Sequence, residues 1–538
     1  ENYTPTDIRR VNIPKDGTTE IRPIGIIATI EKIIQECVRM IIEPILEAQF
    51  FDHSYGFRPL RDAHMALERI QFITHRTGYH WAIEGDISKF FDCVNHNVLL
   101  GALFHMGIRD SRILQMIKAM LKAGIMNEVV KNELGVPQGS NLSPLLANVY
   151  LNRFDHYITR EWEEKKLERK PRYDEKGNKD FHIFDVLRRK IPIIKPRYLI
   201  RYSDDWLIVT NSLENAKIIR YKIKMFLQNT LKLTLSEKKT RITNMKKKSV
   251  RFLGFEIRVR PGKSRSGIIN STKPDRERLR KKIQELKKDI HGLGKAVTIG
   301  ILIHRINLYN QKVRGMINYY SSATLVNKIF STYGYHLKGL IHKKLKRNHT
   351  SIWTPARETA NLPVIHSSYT QVIPAVKYND ILIGVTSLAF VKWKKAYLKN
   401  PRETIYTEEG REIYRKRTKK ERSKSRPELL IPSSLSEKIS KNSHKSIYNF
   451  EYYMNRGYTY NRDRGKCRVC MNKIDSNEQV VIHHIDPSLA LNRINRISNL
   501  ATVHADCHRK IHSSEDLSKK IIKKVWDKIK SFRGKLKE

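Results

Sequence analysis

The chain has 538 residues, beyond the ~100 to 200 residues that one ordinary domain spans, so three or more folding units are expected. Lys and Arg number 103 against 54 Asp and Glu, and the formal charge of +49 is spread along the chain. So large an excess repels itself unless phosphates neutralise it, which points to a polyanionic partner, nucleic acid. Five cysteines are too few for a disulfide framework, and no run of about 18 apolar residues offers a membrane span.

The first residues, ENYTPTDIRR, carry neither an initiating Met nor a hydrophobic signal core, so the chain is expected to begin inside a longer reading frame. Abundant Lys, Ile, Asn and Tyr fit an AT-rich coding genome such as an organelle's, with the mitochondrial matrix as the expected compartment and a bacterial cytoplasm as the alternative.

From Val11 to about Arg260 short apolar runs alternate with amphipathic helices, as in an α+β domain. Strands are predicted at Trp81 to Ile87, Tyr198 to Arg201, Leu207 to Val209 and Phe252 to Arg258. Ile113, Leu114, Met116, Ile117, Met120 and Leu121 recur at helical spacing and predict one buried face. The charged stretch within about 156–195 reads as a solvated insertion. From 274 to 400 the pattern turns helical and basic with interleaved aromatics, a combination suited to structured RNA, although any single aromatic there is better explained as core.

Arg415 to Arg426, RKRTKKERSKSR, has eight basic residues in twelve and no apolar side chain. It reads as part of a phosphate-touching linker and DNA-binding region over 401–460. A compact unit with a Lys-rich final helix is expected over 461–538.

Asp86 follows a predicted strand in WAIEGDISKFFD, and Asp204 and Asp205 occupy a tight turn in RYSDDWLIV. An aspartate pair in a turn is ordinarily turn chemistry. Three carboxylates at strand ends are, however, what two hard Mg²⁺ ions need in phosphoryl transfer.

The flanking motifs come in a definite order. IPKDGTTEIRPIGI, SYGFRP and GVPQGSNLSPLLANVYL precede the aspartate pair, and LTLSEKKT and RFLGFEI follow it. In this order the chain resembles the reverse transcriptases and maturases encoded within group II introns, over nearly its whole length. The resemblance implies a multidomain α+β protein: right-hand fingers and palm over 1–260, and an α-helical thumb and maturase region over 274–400. It implies two Mg²⁺ ions on Asp86, Asp204 and Asp205, with Lys15 and Arg22 holding the triphosphate of a dNTP and Gln138 along its sugar and base. Phe91 would exclude a 2′-hydroxyl, Phe252 to Phe255 would grip the primer, and Lys239 would protonate pyrophosphate. The chain has YSDD where many relatives have YADD, and the resemblance implies that part of the fingers would lie upstream of ENYTPT.

Near the end, CRVC at Cys467 to Cys470, VIHHID around His483 and His484, SNL with Asn499, and HADCHRKIH from His504 to His512 concentrate metal-binding side chains. Their order resembles the small ββα-metal HNH nuclease domain. The resemblance implies a structural Zn²⁺ on Cys467, Cys470, His504 and Cys507, with HxxC standing where relatives commonly have CxxC. It implies a catalytic Mg²⁺ or Mn²⁺ on His483, His508 and His512, the last two four apart on one helix face. His484 is left free to act as general base, with Asn499 orienting it or the loop.

The expected partners are group II intron RNA, target DNA and dNTPs, with no membrane; a homodimer is left open. The expected activity joins RNA-directed DNA polymerase, maturase and site-specific DNA endonuclease in target-primed reverse transcription. The alternatives are a splicing-only maturase, or an RNA-dependent polymerase whose zinc module only binds DNA.

Overall fold

The computed structural model describes residues 3–14, 21–123, 134–165, 195–237, 239–347, 349–362, 371–378, 381–418, 447–474, 480–518 and 520–536. They gather into two compact units. The first is Glu1–Arg278 with Ser322–Thr324 and Lys394–Tyr414; the second is Leu279–Ser321 with Leu325–Trp393 and Arg415–Glu538.

In the first unit, β1 (Arg9–Pro14) and β2 (Ile21–Ile26) form a hairpin, followed by α1 (Thr29–Glu47) and α2 (Ala63–Thr77). Asp62 starts α2 by accepting from Met65 N at 2.8 Å, and Gly78 ends it in left-handed backbone. Next come β3 (Trp81–Gly85), α3 (Phe90–Cys93), α4 (His96–His105), α5 (Ser111–Leu121) and α6 (Ser143–Thr159). Helix α5 buries Ile117, Met120 and Leu121, the face its spacing predicts. Helix α6 is buried along most of its 17 residues, because the run LLANVYL leaves no polar side to face water.

After β4 (Tyr198–Tyr202), β5 (Asp205–Thr210), α7 (Leu213–Thr230) and β6 (Arg241–Asn244), an antiparallel sheet is complete in the order β4-β5-β3-β6. Phe154 of α6 packs on Trp206 at 5.5 Å between ring centroids, and Tyr157 stacks on Phe226 of α7 at 3.9 Å.

A second antiparallel sheet holds β7 (Val250–Phe252), β8 (Phe255–Pro261) and β9 (Ile268–Pro274), ahead of α8 (Arg276–Leu293). The single strand expected over Phe252 to Arg258 is instead a hairpin. Leu253 and Gly254 both take positive φ, 49° and 76°, which reverses the chain in two residues. The expected insertion also begins too early. Helix α6 runs to Thr159, Trp162 is buried, and Glu163 accepts from Leu199 N at 2.9 Å, so residues 156–165 belong to the packed unit. The rest, 166–194, lies outside the described residues.

The second unit contains α9 (Ile299–Tyr320) and α10 (Val326–Leu345), then the antiparallel sheet β10 (Ser351–Pro355), β11 (Val372–Tyr378) and β12 (Ile381–Gly384). That sheet departs from the mainly helical pattern expected over 274–400. Nor does a boundary fall at 400, since Lys394–Tyr414 packs with the first unit; within that segment Lys399 and Glu403 form a buried ion pair at 3.3 Å. Helix α11 (Glu408–Thr418) takes in the first residues of the basic run, and 419–446 lies outside the described residues.

The last elements are α12 (Phe450–Arg462), β13 (Val480–His484), α13 (Leu491–Ile494), β14 (Leu500–His504), α14 (Ala505–His512) and α15 (Lys523–Gly534). β13 and β14 pair antiparallel and α14 follows, a ββα unit. It starts upstream of the expected residue 461. Helix α12 is part of it, with Tyr452 Oη donating to Ile482 O at 2.9 Å and Asn455 Nδ2 to Asn495 O at 2.8 Å.

Candidate functional site

Asp86 follows β3, Asp204 lies in the turn between β4 and β5, and Asp205 opens β5. Strand register sets Gly85 opposite Trp206 and Tyr202 opposite Asp205, which brings the three carboxylates to one edge of the sheet. Gly85 has no room for a side chain, since a Cβ would meet the Trp206 ring at 1.9 Å. Ser203 takes the left-handed conformation (φ 59°) that the tight turn requires.

Behind the turn, Arg201 and Asp155 are both fully buried and paired through Nε–Oδ1 at 2.7 Å and Nη2–Oδ2 at 2.6 Å. Arg201 Nη1 donates to Ser203 O at 2.8 Å and to Asn148 Oδ1 at 3.0 Å. Asn148 Nδ2 in turn donates to Gly56 O at 2.9 Å. This network explains the glycine of SYGFRP, whose Cβ would lie 2.3 Å from Ser203 N.

The Asp205 carboxyl is pushed up to about 6. Although Asp205 keeps solvent-exposed surface, the protein around its carboxyl makes desolvation the largest cause, followed by the charges of Asp204 and Asp86; Arg278 and Lys239 oppose them. Lys239 Nζ lies 3.2 Å from Asp86 Oδ2, on a segment held where Ser236 N donates to Asp86 O at 2.9 Å. Mutually repelling carboxylates with oxygen-only donor chemistry fit hard divalent cations.

Phe91 and Gln138 share a cleft of about 350 Å³ whose walls include Arg10, Gly25 and Leu134. Val136 N donates to Phe91 O at 2.7 Å and Gly25 N to Gln138 O at 2.7 Å, so GVPQ is strung between α3 and β2. Gly139, at φ 116°, would put a Cβ 2.4 Å from Gly25 O, which accounts for the glycine there. Lys15 lies outside the described residues; Arg22 is placed only by its main chain, opposite Ile13 in the β1–β2 hairpin.

In the second unit, Cys467, Cys470, His504 and Cys507 bring their ligand atoms within 4.8 Å of one another. His504 Nδ1 is 3.4 Å from Cys470 Sγ, and Nε2 meets Lys473 O at 3.2 Å, which holds the ring with Nδ1 toward the sulfurs. Hydrogen bonding from Cys507 draws the Cys467 thiol down from its ordinary value. Three sulfurs and an imidazole are compatible with tetrahedral zinc.

His483, His508 and His512 form a second group within 4.8 Å. Burial, then the neighbouring histidines, push His483 down to about 3. Its Nε2 is buried without a hydrogen-bond partner among the described residues, the condition a metal ligand leaves behind.

His484 points to the opposite side of β13, as strand alternation requires. It is not free: it stacks on Tyr452 at 5.1 Å and its Nε2 meets Asn495 Oδ1 at 2.7 Å. Asn495 Nδ2 donates to Ile447 O and Asn449 Oδ1, both at 2.9 Å, so its oxygen must face His484 and His484 Nε2 must carry the proton. Asn499's side chain makes no hydrogen bond to the His484 ring among the described residues. It donates to Asp486 O and Ile494 O and accepts from Asp486 N, clamping the loop after β13.

Residues 13–257 match the family described as reverse transcriptase (RNA-dependent DNA polymerase), and residues 467–514 match HNH endonuclease. Protein YkfC of Escherichia coli is 34% identical over 269 residues, 48% of this chain and 68% of that protein. The group II intron-encoded protein LtrA of Lactococcus lactis is 34% identical over 380 residues, 61% of this chain and 62% of LtrA. The chain belongs to the family of group II intron-encoded reverse transcriptases. It also matches an uncharacterized 91 kDa protein in a cob intron of Schizosaccharomyces pombe at 32% identity over 388 residues, 64% of this chain and 47% of that protein. The chain thus spans less than two thirds of LtrA's length.

Within this group II intron protein, the expected primer grip needs correction. Phe252, Gly254 and Phe255 are buried, leaving half-buried Leu253 as the part of the segment that reaches the surface. Sequence reasoning missed Asp155, Arg201 and Asn495. A charged pair far apart in sequence gives no local signal, and NRINRISNL offers three asparagines with nothing to single out the second.

Proposed function

We propose that the chain is an RNA-directed DNA polymerase that binds group II intron RNA as a maturase and nicks target DNA through its HNH domain, the nicked strand's 3′-hydroxyl then priming synthesis. The observation that carries this reading is the gathering of Asp86, Asp204 and Asp205 at one sheet edge with Lys239 beside them. Asp86, Asp204 and Asp205 would hold two Mg²⁺ ions, which when bound would supply charge neutralisation for the attacking hydroxyl and the triphosphate of a dNTP. The protein's own part is positional. Phe91 excludes ribose from the cleft it shares with Gln138, Lys15 and Arg22 receive the triphosphate, and Lys239 supplies a proton to pyrophosphate.

In the HNH domain, Cys467, Cys470, His504 and Cys507 would hold a structural zinc, and His483, His508 and His512 a Mg²⁺ or Mn²⁺ ion that polarises the scissile phosphate. His484, neutral because burial lowers its pKa and with its lone pair on Nδ1, is the proposed base toward water. Asn499 holds the adjoining loop. The basic helices α8 and α10 would meet RNA phosphates. A Lys-, Ile-, Asn- and Tyr-rich composition favours an organelle interior as the compartment.

The test is Asp204→Asn in primer extension on an RNA template. Synthesis should vanish while affinity for intron RNA is kept; extension at the unmodified rate would refute the polymerase assignment.

A further inference from the structure

The second unit has a basic cleft of about 490 Å³ between the Cys467 to Met471 knuckle and α15. Arg464, Arg468, Lys528 and Lys535 line it, and Phe532 and Met471 give it an apolar wall. The cleft's acid, Asp463, is already committed: its carboxylate accepts from Arg462 Nε and Nη2 and from Thr502 N, each at 2.9 Å. Arg464, Arg468, Lys528 and Lys535 form no ion pair among the described residues. Lys535 also feels the nearby Asp486 carboxylate, but four cations around one concavity still repel each other, and a polyanion entering it relieves that repulsion.

The cleft adjoins the three-histidine cluster. Phe532, which lines it, packs its ring 5.5 Å from that of His483, and Ile485, also lining it, follows two residues after His483.

We propose that this cleft is a phosphodiester-binding subsite that holds the DNA backbone beside the phosphate presented to His483, His508 and His512. Its placement next to the scissile phosphate rests on the nuclease reading above; its affinity for phosphate does not. Arg464 and Arg468 supply planar forks for phosphate oxygens, Lys528 and Lys535 supply point charges from the facing helix, and Phe532 and Met471 lie against the sugars. DNA rather than RNA is the occupant, because the cleft opens beside the cluster assigned to DNA cleavage.

The test uses the full chain with Arg464→Gln, Arg468→Gln, Lys528→Gln and Lys535→Gln combined, against a charge-matched control of Lys217→Gln, Lys222→Gln, Lys246→Gln and Lys247→Gln. All four cleft cations are exposed or half-exposed, so zinc content and thermal melting should not change. Affinity for a short mixed-sequence DNA duplex, measured without Mg²⁺ over a salt series, should fall about tenfold or more, and the slope of log affinity against log salt should shrink by about 0.9 for each phosphate no longer neutralised. With Mg²⁺ present, KM for plasmid nicking should rise while kcat holds. Equal weakening by the control set, or loss of affinity for an RNA hairpin with DNA affinity intact, would overturn the proposal. A wild-type chain that binds DNA through these residues yet never nicks would keep the subsite and refute the nuclease reading alone.

Discussion

Arg201 and Asp155 meet as a fully buried, two-pronged ion pair at 2.6 to 2.7 Å, with Arg201 also bonded to the carbonyl of Ser203 in the turn that carries Asp204. Removing one partner leaves an uncompensated charge in the core. Asp155→Ala should therefore cost about 3–5 kcal/mol. Asp155→Leu combined with Arg201→Met should cost less than the single change, because neither charge is then stranded. Urea unfolding of the three proteins checks this; a double variant less stable than Asp155→Ala would contradict it.

Gly56→Ala tests how closely SYGFRP abuts the same turn. The added methyl would lie 2.3 Å from Ser203 N, a main-chain atom that gives way only if the turn moves. RNA-templated synthesis should drop by about 100-fold or more, since misplacing a reacting group by about 1 Å costs that much. RNA binding should be kept. Near-normal synthesis would show that the turn tolerates the shift.

Glu451 in α12 is buried, its Oε2 has no hydrogen-bond partner among the described residues, and burial, opposed by Arg496, pushes its carboxyl up to about 7. A raised carboxyl favours the folded state while it is protonated. Its contribution is full below the unfolded value of about 4.3 and is lost as pH rises through about 7. Glu451→Gln should leave stability near pH 4.5 little changed and raise the melting temperature increasingly up to about pH 8. A constant difference across that window would refute the assignment.

Cys467 is buried in a small apolar core with Val469, Ile474, Val503, Ile511 and Ile529, so zinc there would hold together the knuckle, β14 and α14. Cys467→Ser should abolish tightly bound zinc, whereas His504→Ala should weaken binding at least about tenfold. Metal analysis after dialysis against a chelator decides this. Full zinc content in Cys467→Ser would contradict it.

The motifs whose chemistry is local were legible in the sequence. The placement of Asp86, Asp204 and Asp205 at strand ends, and of His508 and His512 four apart on one helix, could be read from local pattern; the roles given to them came from motif order. What lay beyond reach depended on long-range packing. The three-stranded sheet after α10 hides in a basic, aromatic-rich segment because its strands alternate weakly. The partner of His484 is Asn495 because α12 folds back over β13, which the composition of 401–460 gives no sign of. Phe252 and Phe255 read as one strand because only the backbone reveals the left-handed pair between them.

Two independent catalytic centres on one chain are tested most directly by crossing Asp204→Asn and His508→Ala through two assays on the full chain, primer extension on an RNA template and nicking of supercoiled plasmid with Mg²⁺ or Mn²⁺. Asp204→Asn should lose extension and keep nicking, and His508→Ala should lose nicking and keep extension. Loss of both activities in either variant, or survival of extension in Asp204→Asn, would contradict the presence of two separate centres.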